Sequence, residues 1–159
     1  MVVEMARWAV SSPYKIIISM SGIKTDPVYT IGVAASLLGV SVHLLRIYEK
    51  EGLILSERTP TGRRMYSDLE LEKVLCIRRM IKEQGINYEG VRRMLALVPC
   101  WRLRKCEHHE KETCKAFQNS ERPCWATEEK CSNPLDNCRH CIVYQATVDC
   151  NTIKNLIYS

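Results

Sequence analysis

In the middle of the chain, apolar residues recur at helical spacing in runs that are separated by turn residues. Thr30 and Ser41 each precede such a run and carry the hydroxyl group that favours a helix N-cap, while Gly39 suits the left-handed position that ends a helix. The pattern predicts a first helix over Ile31 to Leu38 and a second that opens after Ser41 and runs to about Lys50. Two short helices joined by a glycine-containing turn are typical of a helix-turn-helix.

The segment after the second helix predicts a β-hairpin. Two short extended runs, Leu53 to Leu55 and Arg63 to Tyr66, flank a Thr-Pro-Thr-Gly turn in which proline and glycine supply the turn chemistry. The arms of the hairpin carry the side chains of Arg58, Arg63, Arg64 and Tyr66. Guanidinium groups bind phosphate in bidentate fashion, so the hairpin suits contact with a nucleic-acid backbone.

Two further helices follow the hairpin. Ser67 and Glu70 have the spacing of a capping box, which opens a third helix that ends at Gly85. Asn87 caps a fourth helix, roughly from Tyr88 to Val98. The predicted fold class is mainly α: a winged helix-turn-helix of four helices plus a β-hairpin wing over residues 28–98, followed by a small irregular cysteine-rich domain over residues 99–159 with a short C-terminal helix.

Composition adds limits on the compartment and on the partner. The chain has 159 residues and a net charge of +5, an excess that permits a polyanionic partner without requiring one. Apolar runs such as Ile16 to Ile18 are far shorter than the about 20 apolar residues that a membrane helix needs, so no membrane partner is expected. Pro13 and Lys15 interrupt the candidate for a secretory signal, which favours a reducing, cytoplasmic location. Residues 1–27 are expected to form a flexible extension.

Eight of the nine cysteines lie between Cys100 and Cys150. In a reducing compartment this density favours metal ligation or thiol chemistry over structural disulfides. Cys76, far from the cluster, is expected to be a small buried hydrophobic residue.

The cysteine-rich segment contains an internal repeat. Pro99-Cys100-Trp101 recurs as Pro123-Cys124-Trp125 after 24 residues, and Cys138-x2-Cys141 is the one tight pair. The predicted metal ligands are Cys100, Cys106, Cys114, Cys124, Cys131, Cys138 and Cys141. Three interpretations stay open: an iron–sulfur cluster, zinc with His108, His109 or His140 replacing one thiolate, and oxidation-sensitive thiols without a metal.

The middle of the chain resembles the MerR family of transcriptional regulators. The run Tyr29-Thr30-Ile31-Gly32-Val33-Ala34 is similar to the start of the family's domain. Residues 40–54 are similar to its recognition helix and to the segment that follows that helix. Its wing is matched by Arg58 and by Gly62-Arg63-Arg64-Met65-Tyr66-Ser67. The resemblance covers about residues 28–97 and is nearest to the heat-shock-repressor branch. Residues 99–144 resemble the small two-CW cysteine-rich domains of bacterial proteins.

The family resemblance implies that the second helix enters the major groove of double-stranded promoter DNA while the wing binds the flanking backbone. The implied DNA contacts are His43, Arg46 and Tyr48 on the helix, and Arg58, Arg63, Arg64 and Tyr66 on the wing. It also implies a homodimer on a pseudo-palindromic site that acts on RNA polymerase through the promoter. Relatives dimerise through a long helix after the fourth one, but here Pro99-Cys100 intervenes.

An alternative function is a redox or electron-transfer protein that uses the helix-turn-helix only for docking. The sequence contains no nucleotide-binding loop, no pair of carboxylates in a plausible site and no nucleophile constellation. These features favour a regulator over an enzyme, with the cysteine-rich segment as a sensor of metal or redox state.

Overall fold

A computed structural model describes residues 23–119, 121–127, 137–148 and 153 of the chain. Its first part combines four helices with a small antiparallel sheet. The helices are α1 (Ile31–Leu38), α2 (Val42–Lys50), α3 (Asp68–Glu83) and α4 (Tyr88–Ala96), and the strands are β1 (Tyr29–Thr30), β2 (Glu57–Arg58) and β3 (Arg64–Tyr66). The predicted helix-turn-helix and the third and fourth helices are therefore confirmed.

The caps of α1 and α2 follow the sequence pattern closely. The Thr30 hydroxyl accepts from the Val33 amide at 3.4 Å, and the Ser41 hydroxyl accepts from the Leu44 amide at 3.1 Å. Gly39 ends α1 in the left-handed conformation, at φ +60°. These local signals place a sharp turn between the two helices.

The size and direction of α1 and α2 also bear on membrane insertion. In the described part of the chain, no single helix is long and apolar enough to cross a membrane. Helices α1 and α2 together are long and apolar enough, but their axes bend by 107° at the turn between them. The bend lies in the range that is typical of a helix-turn-helix.

The sheet differs from the predicted hairpin in two ways. Strand β3 lies in the centre, with β1 and β2 on either side, so Tyr29 pairs with Tyr66 and Glu57 with Met65. Strand β1 was not predicted from the sequence, and the predicted first arm of the hairpin, Leu53 to Leu55, was wrong. Because Leu53 is fully buried in the turn after α2, that apolar run belongs to the core, and the strand begins later, at Glu57.

The start of α3 is the predicted capping box. The backbone amide of Ser67 donates to Glu70 Oε2 at 2.9 Å, and the Ser67 hydroxyl donates to the same oxygen at 2.5 Å. Asn87 caps α4 by accepting from the Gly90 amide at 2.8 Å. Helix α4 ends at Ala96, slightly before the predicted end.

The cysteine-rich segment consists of short helical turns that pack on α1 to α4. Its elements are α5 (Cys100–Leu103), α6 (His108–Thr113), α7 (Lys115–Gln118), α8 (Ile142–Ala146) and the 3₁₀ turns Cys124–Ala126 and Cys138–His140. Trp125, Val143 and Tyr144 are buried in the same apolar core as Leu53 and Leu71. The change in composition near residue 98 therefore does not separate two cores.

The two copies of the Pro-Cys-Trp repeat have similar local structures. Each copy opens a helical turn directly after its proline. Trp101 packs edge-on against Phe117 with ring centroids 4.9 Å apart, and Trp125 packs edge-on against Tyr144 at 5.1 Å. The repeat thus sets two aromatic pairs that supply apolar contact in a segment with few large side chains.

A buried lysine of α3 joins the two parts of the chain. Lys73 Nζ donates to the backbone oxygen of Tyr144 at 3.0 Å and to the hydroxyl of Thr147, and it lies 4.0 Å from the centre of the Tyr144 ring. Burial lowers the pKa of Lys73 to about 7, although the charges of Glu70 and Cys124 act in the opposite direction. Because this pKa lies below that of an exposed lysine, the stability of the contact between α3 and the cysteine-rich segment depends on pH.

The exit of α2 is in direct contact with the second Pro-Cys-Trp turn. Gly52 has φ +70°, and a Cβ atom added there would lie 2.4 Å from the Cβ of Ala126. The indole Nε1 of Trp125 donates to the Gly52 carbonyl at 2.9 Å. The positive φ and the close approach of Ala126 favour glycine at this position, and the indole hydrogen bond fixes its carbonyl.

Three further expectations change. Cys76 is buried as predicted, but it is disulfide-bonded and not a free thiol. Part of the expected flexible extension is held, since the carbonyl of Lys24 accepts from the Leu69 amide at 3.2 Å. Of the predicted C-terminal helix, Ile153 is helical and buried, and most of the other residues lie outside the described part.

Replacing Gly52 with alanine tests the contact with Ala126. We expect Gly52→Ala to lower the free energy of unfolding by about 2–4 kcal/mol, since it combines left-handed strain with overpacking. The control Gly39→Ala has the same positive φ but open space around it, so it should cost only about 1–2 kcal/mol. Chemical denaturation measures both values. Adding Ala126→Gly should restore most of the difference, and equal losses in the two alanine variants would contradict the contact.

The pH dependence of stability tests the burial of Lys73. Above about pH 7 the folded chain releases the Lys73 proton while the unfolded chain keeps it, so this group should make stability rise with pH up to the ordinary lysine pKa. Lys73→Met has no such proton. The difference in free energy of unfolding, wild type minus Lys73→Met, should therefore increase between pH 6.5 and 9.5, a range set by that shift. A difference that stays constant would mean that Lys73 is solvated.

Candidate nucleic-acid interface

Helix α2 presents a cationic stripe to solvent. His43, Arg46 and Lys50 are all exposed, and their spacing of three and four residues puts them on one side of the helix. Leu45 and Tyr48 face the other way and are buried. The helix therefore rests on the core with a free outer face that is rich in hydrogen-bond donors. Lys50 was missed in the sequence analysis, although its spacing from His43 and Arg46 contained the signal.

The wing holds two exposed arginines on a tightly closed turn. Arg58 and Arg63 are exposed, and Arg58 Nη1 donates to the Gly62 carbonyl at 3.3 Å. The Gly62 amide donates to the Thr59 carbonyl at 2.8 Å, and the Thr59 amide donates to the Arg63 carbonyl at 3.0 Å. These bonds fix the tip of the hairpin, so its guanidinium groups are presented from an ordered backbone.

Arg64 links the wing to α2. Its Nε donates to Glu49 Oε2 at 2.6 Å, and the side chain is one-third exposed. The sequence analysis predicted Arg64 as a phosphate contact. In the structure its charge is compensated by Glu49, which makes it a link between β3 and the cationic helix.

Two tyrosines that were predicted as phosphate contacts are core residues. Tyr48 is 2% exposed and packs edge-on against Tyr88, with ring centroids 5.7 Å apart. Tyr66 is 1% exposed and lies in the central strand. Burial raises the pKa of Tyr48 to about 12, and burial with the charge of Glu49 also raises the pKa of Tyr66. A phenol with so little accessible surface does not reach a phosphate, so this part of the prediction is wrong.

One ion pair and one hydrogen bond from neighbouring helices hold the helix-turn-helix in place. Arg92 Nη1 of α4 donates to Glu51 Oε2, at the end of α2, with a distance of 2.8 Å. Arg78 Nη1 of α3 donates to the backbone oxygen of Leu38, at the end of α1, also at 2.8 Å. The cationic stripe is thus positioned by side chains that do not belong to it.

The predicted metal ligands are not assembled in the described residues. Six of them are present as thiols: Cys100, Cys106, Cys114, Cys124, Cys138 and Cys141. Cys131 lies outside the described residues, and among those that are described no three His, Cys, Asp or Glu side chains form a group that could hold a metal ion. Cys141 is buried and accepts from Arg104 Nη1 at 3.6 Å, while His140 is exposed. The described residues do not by themselves form a site for an iron–sulfur cluster or a zinc ion.

Comparison with known proteins agrees with this geometry. A family model described as MerR HTH family regulatory protein matches residues 29–97. The chain is 37% identical over 71 residues to the putative heat shock protein HspR of Streptomyces coelicolor, which covers 45% of this chain and 47% of that protein. It is 30% identical over 74 residues to the HTH-type transcriptional regulator GlnR of Bacillus anthracis, covering 46% of this chain and 57% of the relative.

A third relative is the mercuric resistance operon regulatory protein of Bacillus cereus, 37% identical over 71 residues, which are 44% of this chain and 53% of that protein. The chain spans about half the length of these curated relatives. Each match is about as long as the segment that forms β1 to α4, and the family model covers that segment itself. Residues 29–97 of the chain therefore match the helix-turn-helix domain of the MerR family of regulatory proteins.

Proposed function

We propose that the chain is a sequence-specific transcriptional regulator that binds double-stranded DNA, with α2 in the major groove and the wing on the flanking backbone. The observation that carries this proposal is the exposed stripe of His43, Arg46 and Lys50 on a helix whose other face is buried. Three relatives with matching domains bear names of regulatory or heat-shock proteins, which supports the same function.

The chemistry of the stripe suits reading of base edges. The major groove of B-DNA admits an α-helix, and arginine forms paired hydrogen bonds with the acceptors of guanine. Arg46 lies in the middle of the stripe and is the residue we assign to base contact, with His43 and Lys50 on either side. The two exposed wing arginines, Arg58 and Arg63, are assigned to phosphate contacts, which add affinity and salt dependence without sequence choice.

We further propose that the protein acts as a homodimer on a pseudo-palindromic promoter site and affects RNA polymerase through the shape of that promoter. Two helix-turn-helix units on such a site read half-sites about 34 Å apart, or a multiple of that distance. The helices after α4 in the described residues have at most six residues, so a dimer would use a surface other than one long helix.

For the cysteine-rich segment we propose thiolate ligation of an iron–sulfur cluster or zinc, with sensing of metal or redox state. The support is the density of thiols beside few large apolar side chains, since small segments of this kind gain folding free energy from a bound metal. The described residues alone do not form such a site, so it would require ligands beyond them.

Alanine substitutions separate base contact from phosphate contact. Arg46→Ala should remove most of the preference for a selected site over mixed-sequence DNA, a loss of about 1–3 kcal/mol. Arg63→Ala should weaken binding to both DNAs equally and reduce the salt slope by about 1. Fluorescence anisotropy titrations at several salt concentrations measure these effects. If the wild type shows no sequence preference at moderate salt, the alternative of a redox protein with a docking module gains support.

Elemental analysis tests the cysteine proposal. Protein purified without oxygen should contain iron and sulfide with broad visible absorption, or stoichiometric zinc without colour. Removing the metal by chelation should then lower the thermal stability, because binding and folding are coupled. Protein with neither metal and with its thiols fully titratable would contradict ligation.

A further inference from the structure

We propose that Arg139 is a positioning residue for the wing, which makes the cysteine-rich segment a working part of the DNA-binding unit. The inference rests on the proposed DNA binding and adds to it a residue that lies far outside the family domain. Arg139 is in the 3₁₀ turn Cys138–His140, and only 3% of the residue is exposed. A guanidinium so deeply buried must be matched by fixed acceptors.

All three guanidinium nitrogens of Arg139 are engaged. Nη1 donates to Glu57 Oε2 at 2.6 Å. Nε and Nη2 donate to the two carboxylate oxygens of Glu70 at 3.0 and 2.9 Å, in bidentate fashion. Nη2 also donates to the Ser67 hydroxyl at 3.2 Å and to the Thr25 carbonyl at 3.1 Å.

The partners of Arg139 lie at the two ends of the wing. Glu57 is the first residue of β2, and Ser67 directly follows the last residue of β3. The guanidinium therefore joins the two stems of the hairpin at its base and ties both to the first turn of α3. On the other side, the ion pair of Arg64 with Glu49 joins β3 to α2. These two contacts act together with the pairing of β3 and β1 to set the orientation of the wing relative to α2.

The strand geometry connects the contacts of Arg139 to the DNA-facing arginines of the wing. Side chains of successive strand residues point to opposite faces. Glu57 points to Arg139, whereas the next residue, Arg58, is exposed. Loss of the Glu57–Arg139 pair leaves the hairpin intact through its strand pairing and the hydrogen bonds of its turn, but it frees the base of β2. Arg58 and Arg63 then lose their fixed position relative to α2.

Neutralising Glu57 separates positioning from simple electrostatics. Glu57→Gln makes the chain more positive, so charge alone predicts tighter binding to DNA. The positioning role predicts the opposite: about three- to tenfold weaker binding to a mixed-sequence duplex and a salt slope that is smaller by about one phosphate contact. The side chain of Glu57 is 42% exposed, so the variant should remain folded, which circular dichroism can verify.

Glu89→Gln is the matched control. Glu89 has a similar exposure, 44%, and pairs with Arg92 and Arg93 of its own helix, α4, away from the wing. The pair of Arg92 with Glu51 that holds α2 does not involve Glu89 and is kept in the variant. Its replacement should leave the salt slope unchanged and the affinity unchanged or slightly higher. Arg139→Gln, assayed at a temperature where it is folded, should reproduce the loss of Glu57→Gln, and the double variant should lose no further salt slope. If Arg139→Gln does not fold, the Glu57→Gln result alone decides.

The outcomes also separate this inference from the proposed function. A wild-type protein that does not bind duplex DNA would overturn both. Wild-type binding with a normal salt slope, together with Glu57→Gln binding as tightly as Glu89→Gln, would overturn the positioning role and leave DNA binding intact.

Discussion

The structure depends on one buried carboxylate. Glu70 is completely buried, and its oxygens accept from the Ser67 amide, the Ser67 hydroxyl and the guanidinium of Arg139. A charge in such a position is tolerated only when it is fully hydrogen-bonded and paired. The requirement brings the start of α3, the base of the wing and the cysteine-rich segment to a single point. Lys73, one turn further along α3, extends the same junction to Tyr144 and Thr147.

The junction explains how a small domain can present a fixed DNA-binding surface. The cationic stripe of α2 makes few contacts of its own, and it is held from behind by the pairs Arg64–Glu49 and Arg92–Glu51 and by the turn at Gly52. A surface positioned before binding loses less conformational entropy when it binds. The cysteine-rich segment contributes two of the supports, through Trp125 and Arg139, so its packing and the geometry of the wing are linked by contact.

Sequence reasoning succeeded where the signal is local. The caps at Ser41, Ser67 and Asn87 act over three residues, and they placed the helices correctly. His43 and Arg46 were identified and are exposed. It failed where tertiary packing decides. The apolar run at Leu53 is buried in the core and is not a strand, and the side chains of Tyr48 and Tyr66 are buried as well. The role of Arg139 could not be found, since its partners are 69 to 114 residues away.

The central claim is that the helix-turn-helix and the cysteine-rich segment share one core. All three tryptophans, Trp8, Trp101 and Trp125, lie outside residues 29–97, whereas the longer of the described helices lie inside that range. In a Trp8→Phe variant, tryptophan fluorescence therefore follows the cysteine-rich segment, and far-ultraviolet circular dichroism follows mainly the helix-turn-helix. The most direct measurement is the unfolding of the full chain by denaturant, recorded with both signals. One core predicts coincident transitions with a single midpoint. Two separate transitions, with fluorescence changing before the helices unfold, would contradict the claim.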